Sequence, residues 1–299
     1  MPSLSKWFRE HYPELLGVMG RYDLLLEAFV IVNLGFLSLD IYLAHSINRF
    51  HHEAEYIPLL FSLASPLLLL AGLLLGERFG LTAVWRDVGH LVGWCSIAIG
   101  LIGVVLHLDS GFFEERTIKS LVYAAPFAAP LAYTGLGLLL VMNRIVDRHS
   151  EEWARWVLLL GLGGIVGNFI FSLTDHAQNG FFHWTEWIPV MSSALAVGFL
   201  VTIFVTPVTR RFVALSAVVL VVQVVVGLLG FALHTRANLR GPSPHAFENF
   251  VFGAPALAPM LFPNLSLLCA LGLWALRDHI PASEPSEPAS ATTSTSAVS

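Results

Sequence analysis

The chain has 299 residues, of which 56% are apolar and 12% charged, where a soluble domain carries about 25% charged residues. Its only lysines are Lys6 and Lys119, and its formal charge of -5 comes with scattered basic residues. This excludes a nucleic-acid partner and an ordinary soluble domain, which would have too little polar surface to present to water. The sequence reads as an all-α integral membrane protein whose first partner is the lipid bilayer.

The first 20 residues, MPSLSKWFREHYPELLGVMG, lack a small-residue cleavage site and precede too long an apolar run for a cleavable signal. We read 1–20 as a cytoplasmic amphipathic lead-in. Crossing a hydrocarbon core about 30 Å thick takes about 20 apolar residues. Such runs fall near 22–46, 56–76, 88–108, 119–142, 153–176, 184–206, 211–235 and 249–276. Helices are expected because backbone polar groups in lipid must be satisfied within the segment. Cys95 and Cys269 fall mid-span and are read as buried apolar thiols. GLGG at Gly161 to Gly164 reads as close helix packing, because no strand precedes it. The last stretch, rich in Ser, Thr, Pro and Ala, makes 280–299 an expected disordered cytoplasmic tail.

The chain aligns with itself. HSINRFHHEAEYIP at 45–58 matches HAQNGFFHWTEWIP at 176–189 without a gap. GLIGVVLH, ending at His107, resembles GLLGFALH, ending at His234, and LVYAAPFAAPL from Leu121 resembles FVFGAPALAPM from Phe250. The expected architecture is about eight transmembrane helices as four repeated helical hairpins, in two parallel four-helix halves, 21–148 and 149–279. Prolines at Pro66, Pro130 and Pro259 are expected to kink the second helices and open a cavity at their outer ends. Eleven basic residues, from Lys6 to Arg277, fall on the side of the termini. The opposite side has only Arg49, Arg116, Lys119, Arg236 and Arg240. The positive-inside rule then predicts a multi-pass protein of the cell inner membrane with both termini cytoplasmic.

In each hairpin the first helix ends in a histidine: His45, His107, His176 and His234. The second opens with a polar pair three residues apart: His52 and Glu55, Arg116 and Lys119, His183 and Glu186, His245 and Glu248. Histidine is the commonest metal ligand, and His with Glu three apart on a helix presents two ligands side by side. Three hairpins therefore carry two His and one carboxylate, a set suited to a transition metal such as iron, zinc or copper. The plainer account is that histidine at a helix C-terminus and glutamate at an N-terminus suit the helix dipole.

The leading expectation is a metal-binding membrane protein with its site at the extracytoplasmic face, of redox or other metal-dependent chemistry. One alternative is a haem b electron carrier, with His45 and His176 or His107 and His234 as the symmetric axial pairs and room made by Gly100, Gly103, Gly227 and Gly230. Others are a cation or proton transporter passing Asp40, and a non-catalytic subunit. Partners would be an extracytoplasmic redox protein or other membrane subunits. In outline the chain resembles the haem A synthases: eight spans, two similar halves, and histidines and a glutamate toward the outer face. TEWIPV at Thr185 to Val190 is similar to a tract in them. Histidine placement differs from theirs and the repeated His-x-x-Glu is not their hallmark, so the resemblance carries over no residue role.

Overall fold

The structure, a computed structural model, describes residues 21–117 and 126–281. The lead-in over 1–20, Lys119, the opening of the fourth span and the tail beyond residue 281 lie outside the described residues. Within them every regular element is helical. These are α1 Tyr22–Ser46, α2 Tyr56–Phe79, α3 Thr82–Asp109, α4 Phe112–Glu115 and α5 Leu131–Ile145, followed by α6 Glu151–Gln178, α7 Trp187–Val205, α8 Arg210–Leu239, α9 Ala246–Phe252 and α10 Leu261–Arg277. Single 3-10 turns lie at Glu53–Glu55, Trp184–Glu186 and Ala258–Met260.

Seven helices among the described residues are long and apolar enough to cross a membrane. The fourth expected span is different. Its described helix, α5, has 15 residues, about 22 Å at 1.5 Å per residue. It is preceded by a non-helical segment from Pro126 to Pro130. The eighth expected span is broken at the matching place, between α9 and the Ala258–Met260 turn. Proline spacing explains why. Pro130 and Pro259 each follow another proline by four residues, so each removes the N–H that would bond the carbonyl of Pro126 or Pro255. By contrast, α2 runs unbroken through Pro66, its one interior proline, since Pro58 lies in its first turn, where no helical N–H is needed.

Helix packing follows chain order. Helices α1, α2, α3 and α5 close one ring of neighbours, and α6, α7, α8 and α10 close another. The rings meet where α5 touches α6 and where α1 touches α10 and α9. Across that seam Asn264 donates to the side chain of Asn33, and the Tyr22 hydroxyl donates to Asp278 at 2.6 Å. Trp153 of α6 donates to Asn143 of α5 at 3.2 Å.

Polarity is distributed inside-out relative to a soluble bundle. Ser62, Ser65, Ser96, Asn168, Ser193 and Gln223 are buried, while Val32, Leu67, Leu101 and Val221 face outward. Apolar side chains gain nothing by turning from lipid, whereas polar ones find partners only in the interior. Gln223 donates to the Ser192 carbonyl of the neighbouring helix at 2.8 Å, as a mid-span glutamine should. Gly161 packs against the Cys269 sulfur, bearing out close contact at GLGG. Cys269 is buried, while Cys95 faces outward.

Candidate functional site

The end of the first ring at which α1 and α3 finish is built around the Pro126–Pro130 break. The Pro126 carbonyl, deprived of its helical partner, accepts a tight-turn bond from the Ala129 N–H at 3.0 Å. Its second bond comes from the His107 ring, whose Nδ1 lies 3.0 Å away. A carbonyl can only accept, so Nδ1 carries the proton and Nε2 is left free. The second ring repeats this. The Pro255 carbonyl accepts from Ala258 N–H at 3.3 Å and from His234 Nδ1 at 3.0 Å. Asn238 completes the repair there: its amide donates to the Ala254 carbonyl at 2.8 Å and accepts from the Ala254 N–H at 2.9 Å. Non-helical backbone at membrane depth survives only when its polar groups are matched in this way.

The loops after α1 and α6 are likewise copies in geometry. The N–H of Phe50 bonds the His45 carbonyl, and that of Phe181 bonds the His176 carbonyl, both at 3.0 Å. Both phenylalanines have φ 52°, a left-handed conformation that the tight reversal imposes. Phe50 stacks on Tyr56 at 4.8 Å and Phe181 on Trp187 at 4.1 Å. These reversals return a carboxylate to the preceding helix end. Glu55 Oε2 lies 3.3 Å from His45 Nδ1, and Glu186 Oε2 lies 3.7 Å from His176 Nδ1. Asn48 donates to the other Glu55 oxygen at 2.8 Å.

The structure thus brings His45 together with His107 inside the first half, and not with His176 as the symmetric haem pairing expected, because each ring of helices closes within its own half. The imidazole beside His45 is that of His107, with ring centres 6.2 Å apart and planes at 73°. In the second half the anchors recur: Glu186 stands beside His176 and the Pro255 carbonyl beside His234. Below the first pair the Tyr133 hydroxyl donates to the Pro58 carbonyl at 2.8 Å and meets the Ser62 hydroxyl.

The other expected ligands stand apart. His52, His183 and His245 are exposed, as is Glu248. His52 and His183 are extended residues that precede a 3-10 turn, so they share no helical face with Glu55 and Glu186. Glu248 accepts from Ser243, whose hydroxyl also accepts from the His245 N–H at 3.1 Å, which is local capping at the start of α9. Arg116, exposed and left-handed at φ 53°, is not part of either cluster. Among the described residues no group of three His, Cys, Asp or Glu is arranged to hold a metal ion.

The glycines expected to make room do the opposite. A Cβ at Gly103 would lie 2.8 Å from Pro130 Cβ, and one at Gly230 would lie 3.0 Å from Pro259 Cβ. A Cβ at Gly100 would lie 2.8 Å from the Pro130 carbonyl oxygen, and one at Gly227 would lie 2.7 Å from that of Pro259, too close for any side chain. They let the proline segments dock against α3 and α8. Asn238 escaped the sequence reading because an asparagine near a helix end is common. Its signal was the nearby helix-breaking GAP tract, which needs a polar partner in lipid. Compared with known protein families, curated proteins and solved structures, the chain matches none.

Proposed function

We propose that this is a membrane haem protein that carries electrons at its extracytoplasmic face, one haem b held in each half between the two helix-ending histidines. The carrying observation is the 6.2 Å between the ring centres of His45 and His107. Two imidazoles bonded through Nε2 to one metal at about 2.0–2.1 Å have ring centres about 6 Å apart. The anchoring supports the same reading. His107 and His234 have Nδ1 engaged by a backbone carbonyl, the partner that fixes the tautomer of a metal-bound histidine. His45 and His176 present Nδ1 to a glutamate. In each ring the two histidine helices, α1 with α3 and α6 with α8, stand across from one another. Bundles build cofactor sites between facing helices in this way. Haem bound there would supply one-electron chemistry, while the Pro126 and Pro255 carbonyls and Glu55 and Glu186 would hold the orientation and tautomer of the histidines that bind it.

A second reading is an iron, zinc or copper ion that recruits Glu55, which approaches His45 to 3.3 Å; the described residues form no ready group of three ligands, so side chains would have to move to complete it. We also infer that 21–148 and 149–279 descend from one four-helix unit, related by a pseudo-two-fold axis along the membrane normal. Its support is the recurrence of both loop and proline-segment geometries. The arginine distribution supports an inner-membrane protein with cytoplasmic termini.

The test is absorbance and haem quantification of protein purified from haem-replete cells. Two haems per chain are expected, falling to one in His107→Ala. No Soret band, either as isolated or after addition of hemin, overturns the haem reading. Stoichiometric metal without a Soret band favours the second.

A further inference from the structure

The two matched loops differ in one respect. Their backbones, stacked aromatic pairs and His–Glu approaches coincide, yet their outward side chains do not. After α1 the exposed positions are His51, His52 and Glu53. After α6 the corresponding positions are Phe182, 79% exposed, His183 and Trp184, 77% exposed. Because the backbones match, the difference lies in the side chains alone and the fold does not require it.

Continuity with α7 identifies the surroundings. Trp184, Trp187, Met191 and Leu195 are spaced by three and four residues, so they form one outward stripe, and all are exposed. Its lower part lies on a helix of membrane-crossing length and apolarity. In the first half the matching stripe, through Leu60 and Tyr56, stops at the charged Glu53. Tryptophan is the residue most at home where hydrocarbon meets headgroup, since its ring is apolar and its N–H needs a polar partner.

We propose that the Phe182–Trp187 rim lies in the lipid headgroup layer, as an interfacial anchor, while the matching rim of the first half, around His51 and Glu53, stands in water. The inference rests on the loop geometry and is independent of haem binding. The two halves are thereby seated differently: the second is fastened to the bilayer surface and the first keeps its histidine pair beside the aqueous phase.

The test uses Trp184→Cys and Glu53→Cys in a Cys95→Ala background, the buried Cys269 being left in place. Each variant is labelled with an NBD fluorophore and assembled into palmitoyl-oleoyl-phosphatidylcholine nanodiscs, which leave both faces open. Nitroxide carried on lipid headgroups should quench the label at 184 several-fold more than that at 53, and aqueous iodide should do the reverse. Equal iodide quenching at both positions would overturn the proposal, because the rim would then stand in water. Shielding of position 184 from both quenchers would also overturn it, because protein would then cover the rim. Phe182→Cys serves as a second probe on the same rim if the first variant does not fold.

Discussion

At the scale of the residue, the histidines sort by what their Nδ1 atoms meet. His107 and His234 repair a carbonyl that proline has stranded, so each has a structural role before any cofactor is considered. Replacing His107 by Ala removes a hydrogen bond of about 1 kcal/mol. Thermal unfolding in detergent should register that loss alongside the loss of one haem. His183 is exposed and touches neither cluster. His183→Ala should stay within about 0.5 kcal/mol of the parent and retain both haems; loss of cofactor there would return His183 to the site. The pattern of helix-ending histidines was legible in the sequence, as was the Glu in each loop. The partner of each Glu was not. Spacing of three residues suggests His52 beside Glu55 only if the helix has already begun, and His52 is still extended, with φ -106° and ψ 133°. The backbone reversal at Phe50 turns Glu55 toward His45 instead.

At the scale of the element, one ion pair distinguishes the first ring from the second. Glu27 of α1 and Arg144 of α5 meet at 2.7 Å with both side chains wholly buried. The guanidinium also lies 3.7 Å over the Trp85 ring and fills the space beside Gly89. At the start of α1, Asp23 holds Arg148 at 2.7 Å and Arg21 at 3.2 Å. In the repeat, Leu158 stands where Glu27 does and Leu273 where Arg144 does, and both are buried. The fold therefore closes without the pair. Glu27→Leu alone strands a buried cation and should cost about 3–5 kcal/mol. Glu27→Leu with Arg144→Leu copies the second ring and should recover most of that loss. Unfolding of the three proteins in detergent checks this, and a double variant as weak as the single one would show the pair to be required. The partners lie 117 residues apart, beyond any local pattern. Their signal was the coincident loss of both charges between the halves.

At the scale of the whole molecule, the uneven distribution of arginine gives an expected orientation. A tag placed after Ser299 should be reached only from the cytoplasm, and one inserted near Ser243 only from outside. The opposite labelling would overturn the topology argued from arginine. The sequence by itself determined that the chain is helical, lies in a membrane and repeats its loops, because length, apolarity and self-similarity are written along the chain and lipid permits few alternatives to the helix. It overstated the regularity of the fourth and eighth spans, since hydropathy counts apolar residues and is blind to a missing N–H. Only the tertiary structure decided that His45 meets His107, that Gly103 and Gly230 close gaps instead of opening them, and that Glu27 finds Arg144. Each of these joins helices that are neighbours, or face one another, only once a ring has closed. Which face of an apolar helix turns inward is fixed by the few polar groups that must find partners there, and those partners lie on other helices.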